Sequence, residues 1–297
     1  MKSDFMKIEL EDVRVTGSNL IRPAGVVVAD NGAIYATDAK GCCSRTNKDA
    51  TAFFGTLGGT PSGLCLDKKG NCIIANVGNG QVQLLSPDGT QQVLLDGDQG
   101  SRMYIPNYPF LDFRGRLWIS CSVDDFDADS SRQPGSDGCL ILIDNDKEPQ
   151  IVVEGIFFPN GIALDKDQKF IYVAEMMLRR IIRFPINEDS SLGAGEVYGP
   201  EVLGHQAFPM GIAFDEAGNL WITFPTTNSI GFINPAGNLE IYLEDPQGLV
   251  LQKPADICFG GKDRKIAFIG SMGSNKIPCF AVPYPGLRLV HQASGLS

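Results

Sequence analysis

An all-β fold, a six-bladed β-propeller of four-stranded antiparallel blades, is the architecture this sequence predicts. Three observations carry it. A Pro-led unit, Pro, one variable residue, usually Gly, an apolar run, a tight turn and a second apolar run, recurs six times at intervals of 38 to 53 residues. Further strand-like runs with their own turns lie between the copies, and no amphipathic helix interrupts the pattern. A repeat of this length matches one propeller blade, and two hairpins make its four strands.

The copies follow in order. PAGVVVADNGAIYATD opens at Pro23 and PSGLCLDKKGNCIIAN at Pro61. PNYPFLDFRGRLWISC opens at Pro106, PNGIALDKDQKFIYVAE at Pro159 and PMGIAFDEAGNLWIT at Pro209. The weakest, PADICFGGKDRKIAFIGS, opens at Pro254. Each reads as two short strands joined by a turn such as Asp30-Asn31-Gly32 or Glu216-Ala217-Gly218. Second hairpins show in QVQLLSPDGTQQVLL (residues 81–95) and SIGFINPAGNLEIYL (229–243), turning at Pro87-Asp88-Gly89 and Pro235-Ala236-Gly237. The expectation is one domain spanning 1–297.

Composition agrees. The chain carries 43% hydrophobic residues with 34 Gly and 18 Pro, the profile of a turn-rich folded protein. No apolar run is long enough to span a membrane, and the start, MKSDFMKIELED, lacks the apolar core of a secretory signal. A cytoplasmic protein, a monomer or weak homo-oligomer, is expected. The net charge of −10 argues against nucleic acid or an anionic membrane as partner and otherwise reads as solubility; the expected partner is a small-molecule substrate. The eight cysteines form no CxxC pair. Four of them (65, 72, 121 and 258) read as core residues, and Cys42 and Cys43 as members of a Gly/Ser loop.

In a propeller the first strand of each blade lines the central channel, so the residue after each Pro is expected at one mouth. Those are Ala24, Ser62, Asn107, Asn160 and Met210, with Asp256 taken as the equivalent in the sixth copy. Residues ending the second strands should reach the same rim: Asp38, Asn76, Cys121, Glu175, Phe224 and Ser271. The insertion at 121–138 lies on this side and is long enough for a lid. Its D-x-D-x-D run (Asp125, Asp127, Asp129) has Ser130 and Ser136 where a calcium loop of the EF-hand type needs Gly and Glu, so it reads as a solvated acidic loop.

Four segments in order, RMYIPNYPFLDFRGRLWIS, FPNGIALDKDQKFIYVAE with the following RRIIRF, FPMGIAFDEAGNLWIT and ADICFGGKDRKIAFIGS, resemble the regucalcin/gluconolactonase (senescence-marker-protein) family of six-bladed propellers. The resemblance covers almost the whole chain. It implies a metal-dependent lactonase that holds one divalent ion with a Glu from the first blade, two Asn, and an Asp from the fifth. The Asn positions are present as Asn107 and Asn160; the Glu position falls on Ala24 and the Asp position on Met210. A hard cation wants several oxygen ligands with carboxylates among them, so no resident metal is expected. The open alternative is calcium or zinc held by Asn107, Asn160 and Asp256 with water.

Other catalytic motifs, GxSxG, HExxH, a P-loop and GxGxxG, are absent. The expected reaction is hydrolysis of a lactone or related cyclic ester. Asn107 and Asn160 would orient the carbonyl, Asp256 or His205 would act as general base, and Glu175 would be a further rim carboxylate or a partner of Arg179 or Arg180. Tyr104 and Tyr108 flank Asn107 and would either donate to substrate or pack in the core. Met210 and Phe224, with Met176 and Met272, point to a substrate less polar than a sugar lactone. His291 reads as structural or exposed. Two alternatives stay open: metal-independent acid/base chemistry (isomerase, lyase or a strictosidine-synthase-like condensation), and a non-catalytic binding propeller.

Overall fold

A computed structural model describes residues 8–48, 50–98, 102–125, 138–144 and 147–292. Asp127, Asp129 and most of the 121–138 insertion lie outside the described residues.

The chain begins with β1 (Arg14–Thr16) and then lays down blade one: β2 (Val26–Val28), β3 (Ile34–Asp38), β4 (Cys42–Asn47) and β5 (Ala50–Phe54). Blade two is β6 (Pro61–Leu66), β7 (Cys72–Asn76), β8 (Gln81–Leu85) and β9 (Gln91–Asp96). Blade three is β10 (Arg102–Leu111), β11 (Arg116–Asp125), β12 (Gly138–Asp144) and β13 (Gln150–Ile156). Blade four is β14 (Pro159–Leu164), β15 (Phe170–Glu175), β16 (Arg180–Pro185) and β17 (Glu196–Tyr198). Blade five is β18 (Ile212–Phe214), β19 (Leu220–Phe224), β20 (Ser229–Ile233) and β21 (Leu239–Glu244).

Blade six has only three strands from its own stretch, β22 (Pro254–Gly260), β23 (Ile266–Ser271) and β24 (Ile277–Ala281). Its fourth strand is β1, which pairs antiparallel with β24 (Val15 opposite Pro278) and so ties the start of the chain to its last blade. The result is six antiparallel four-stranded sheets, as the sequence predicts. Among the described residues no helix is long and apolar enough to cross a membrane. Cys42 and Cys43, expected in a loop, instead start β4 and are buried. Their thiols are pushed up: Cys42 mainly by burial, Cys43 first by a hydrogen bond with Cys72.

The Asp that leads the turn has the same job in blades three and five. In blade five Asp215 accepts from the Ala217 and Asn219 amides with one oxygen, and from the Asn219 side chain and the Trp221 indole with the other. In blade three Asp112 does the same for the Arg114 and Arg116 amides, and binds the Arg116 guanidinium at 2.6 Å and the Trp118 indole at 3.0 Å. Both indoles are fully buried between sheets, Trp221 with Tyr242 edge-on at 4.9 Å. One carboxylate thus fixes a turn and anchors a core aromatic. Asp215→Ala would strand several buried donors and should cost about 2–3 kcal/mol, read as a lower urea midpoint with an unchanged slope.

Candidate functional site at the channel

The inner strands β2, β6, β10, β14, β18 and β22 surround the channel in sequence order. Their Pro-x-Gly starts are built for close approach. A Cβ on Gly25 would lie 2.3 Å from the Ser62 carbonyl oxygen in the next blade, and one on Gly211 would lie 2.5 Å from the Cα of Asp256. Any side chain there would have to displace neighbouring backbone. The same spacing holds at Gly63 and Gly161, which abut Tyr108 and Met210.

Two copies break the rule. The register pairs Pro106 with Cys121 and Tyr108 with Ser120, and likewise Pro254 with Ser271 and Asp256 with Gly270. Asn107 and Ala255 are therefore the bulged, equivalent residues, while Tyr108 and Asp256 share the position that is Gly in the other four blades. This corrects the expected alignment: Asp256 sits one step deeper than Asn107, because the bulge absorbs one residue. Blades three and six face each other across a six-membered ring, and the Tyr108 phenol lies close enough to the Asp256 carboxylate to lower its pKa. The Tyr108 ring fits because Gly63 leaves the space: a Cβ there would stand 2.5 Å from its Cδ2.

Asp256 is 2% exposed. Oδ2 accepts from the Val26 amide of blade one at 2.9 Å, and Oδ1 from the Ile257 amide at 2.9 Å. Burial raises its pKa from 3.8 to about 7, opposed only in part by those two amides and the phenol. No cation is among these partners. The Tyr108 hydroxyl is pushed well above its ordinary value, first by burial and then by the Asp256 charge. Tyr108 keeps its remaining surface toward a cavity within the channel.

The rim amides differ from each other. Asn107 donates both N–H groups, to Ser122 Oγ and to the Pro159 carbonyl, each at 2.7 Å, which leaves its own oxygen as the free end. It can accept a hydrogen bond but has no donor left for a carbonyl. The Asn160 side chain is buried yet makes no hydrogen bond among the described residues; only its backbone carbonyl is engaged, by Ser120 Oγ at 2.6 Å. Ser120 and Ser122 were not singled out from the sequence, although both are polar residues in an apolar second strand. So are Thr37 and Thr223, which accept from the Gly25 and Gly211 amides and pin those glycines in place.

The second-strand ends serve the loops. Asp38 accepts from the Ile21 amide, Asn76 from the Thr60 amide, and Glu175 from the Phe157 amide, while the Ser271 hydroxyl donates to the Gln252 carbonyl. In each case a polar group ends the second strand and holds the chain just ahead of its own inner strand. Glu175 is 1% exposed, and its other oxygen is ion-paired with Arg180 Nε at 2.6 Å, which ties its charge to a cation. Phe224 is fully buried in an apolar cluster with Ile222 and Leu220 and offers no surface to a substrate.

His205 is exposed, in the loop before blade five, and its backbone carbonyl takes Arg179 Nη1. Tyr104 stands on the β10–β11 hairpin opposite Val123, above the rim. Met210 is buried at the rim, its carbonyl accepting from the Gly161 amide. His291 is buried at the opposite end of the channel, bonded to the Val28 carbonyl, and burial lowers its pKa.

A hard divalent ion does not fit these residues. The six rim positions offer two methyls (Ala24, Ala255), a hydroxyl (Ser62), a thioether (Met210) and two neutral amides (Asn107, Asn160). The nearest carboxylate in the repeat, Asp256, is one step deeper and already accepts two backbone amides. Among the described residues no three His, Cys, Asp or Glu side chains converge as a metal site.

Residues 89–273 match the SMP-30/Gluconolactonase/LRE-like region, and the chain belongs to that family. A 6-deoxy-6-sulfogluconolactonase of Pseudomonas putida is 26% identical over 47% of this chain and 46% of its own length, so the chain spans about half of that relative. Among solved structures, a gluconolactonase from Xanthomonas campestris superposes with a TM-score of 0.73 at 16% identity, over 93% of this chain and 91% of that one. The calcium-binding protein regucalcin from Agrobacterium tumefaciens superposes with a TM-score of 0.72 at 15% identity, over 96% and 98%. At such identities the superpositions speak for the fold.

Proposed function

We propose that this member of the SMP-30/gluconolactonase family hydrolyses a lactone or related cyclic ester at the channel mouth without a resident divalent ion, with Asp256 as general base. The observation that carries the reading is the buried Asp256 carboxylate, free of any cation and beside Tyr108, with a pKa of about 7. A base with that pKa is half ionised at neutral pH, which suits proton transfer in both directions. Family membership supports the reaction class.

The steps follow from the donors and acceptors present. Ionised Asp256 takes a proton from water as the water oxygen adds to the ester carbonyl carbon. The Asn160 amide, with no partner among the described residues, donates to the carbonyl oxygen and stabilises the charge that grows there. Asn107 Oδ1 accepts from the attacking water or from a substrate hydroxyl. When the tetrahedral species collapses the ring C–O bond breaks, and the proton held on Asp256 passes to the departing oxygen. Tyr108 is a positioning residue: its hydroxyl steadies the carboxylate. Ala24 and Met210 give the rim an apolar side, so the substrate is less polar than a sugar lactone.

Purified protein should therefore carry calcium and zinc well below one per chain by elemental analysis. EDTA treatment should leave turnover of aliphatic lactones within about twofold, and these should exceed gluconolactone in kcat/KM. A stoichiometric tightly bound ion, with activity lost to EDTA and restored by metal, would sink the proposal.

A further inference from the structure

The channel continues past the Tyr108–Asp256 pair. Toward the far ends of the inner strands it widens into a cavity of about 250 Å³. Its wall is apolar and drawn from every blade, with Val26, Leu64, Phe110, Ile162, Phe214 and Ile257 as representatives. Tyr108 lies in its wall, and the C-terminal segment from Leu287 to His291 bounds its outer end. That segment is itself tied down: the Leu287 amide donates to the Phe214 carbonyl, and His291 and Gln292 bond the Val28 carbonyl. The cavity is thus framed by fixed elements.

Its size and lining set what it can hold. An apolar cavity of roughly 150 Å³ stays dry and admits benzene, so one of this size has room for one or two rings. Charged groups stand only toward its outer edge, where Asp165, Lys166, Glu216 and Arg288 contribute, and Glu216 and Arg288 already have partners in Arg264 and the Gln292 carbonyl. Beyond that outer edge the Val26, Leu64, Phe110, Ile162, Phe214 and Ile257 wall offers an ionised group no counter-charge. The chamber is distinct from the rim because none of Asn107, Asn160, Met210 and Asp256 lines it.

We infer that this far chamber is a second ligand site, selective for a compact, uncharged aromatic or alicyclic molecule of one or two rings. Binding there buries ligand carbon against the six inner strands and against Tyr108. It needs neither the Asp256 charge nor the rim amides, so it stands apart from the hydrolysis proposed above.

Indole is a suitable probe, with indole-3-acetate as its charged counterpart. Titration of the full chain by calorimetry should show saturable indole binding and a melting temperature that climbs with indole concentration. Indole-3-acetate should bind at least tenfold more weakly. Ala213, half-buried and part of the cavity wall, allows the space to be filled: Ala213→Leu should weaken indole at least tenfold while the melt stays cooperative. Asp256→Asn should leave indole affinity unchanged, which separates this site from the mouth. Xenon-pressurised crystals should show the gas among Leu64, Ile162 and Phe214, a readout that holds even if Ala213→Leu does not fold. No saturable indole binding, equal affinity in Ala213→Leu, or an empty cavity under xenon would overturn the inference.

Discussion

Asp256→Asn is expected to lower kcat for lactone hydrolysis by about a hundredfold or more at neutral pH, since general acid–base groups typically contribute that much. The substitution keeps the shape and leaves an oxygen to accept the Val26 amide, but abolishes the proton chemistry. Wild-type activity should fall about tenfold per pH unit below about 7 and level off above it, because only the ionised carboxylate accepts the proton and its pKa is near 7. Tyr108→Phe should move that inflection upward, since the phenol is one of three groups that favour the charged form. Near-normal turnover in Asp256→Asn, at unchanged secondary structure, would remove Asp256 from the reaction; the exposed His205 would then be the next base to replace.

The same carboxylate should leave a signature in stability. Its pKa is about 7 in the fold against about 3.9 in an unfolded chain, so between those values the folded state holds a proton that the unfolded state has released. Stability from this group is therefore complete below about pH 4 and is lost as pH rises through about 7. The loss is on the order of 4 kcal/mol, at 1.36 kcal/mol per unit of pKa difference. Other carboxylates pull the opposite way, Asp245 for instance being held low by backbone amides from Gly248 to Leu251 despite its burial. The quantity to measure is the difference in urea unfolding free energy between wild type and Asp256→Asn, from pH 4.5 to 8. That difference should fall steadily with pH; a flat profile would mean that the carboxylate is ionised throughout and not desolvated as its burial demands.

The two results can be read against each other. A catalytic defect with the expected stability profile places the proton chemistry on Asp256. A stability profile without a catalytic defect leaves it a buried structural acid beside Tyr108.

The sequence by itself determined the repeat, the blade count and the turns, and it put Ala24 and Met210 at the residue after the blade-opening Pro. These were legible because each blade is made of consecutive residues: alternation, a turn Asp and a Pro-x-Gly start all fall within one short window. Glu175 and Phe224 were placed at the correct strand ends, but whether an end serves substrate or its own loop depends on the segment it meets, and Phe157 and Arg180 decided the case for Glu175. Only the tertiary structure decided the union of Tyr108 with Asp256, the closing of blade six by β1, and the far chamber. The clue to the first was present, since these are the two places where a side chain replaces the third-position Gly. Its meaning required the ring, because two whole blades lie between the pair along the chain and only closure sets them opposite each other. The glycines of the other blades then leave the channel width that lets one phenol reach one carboxylate.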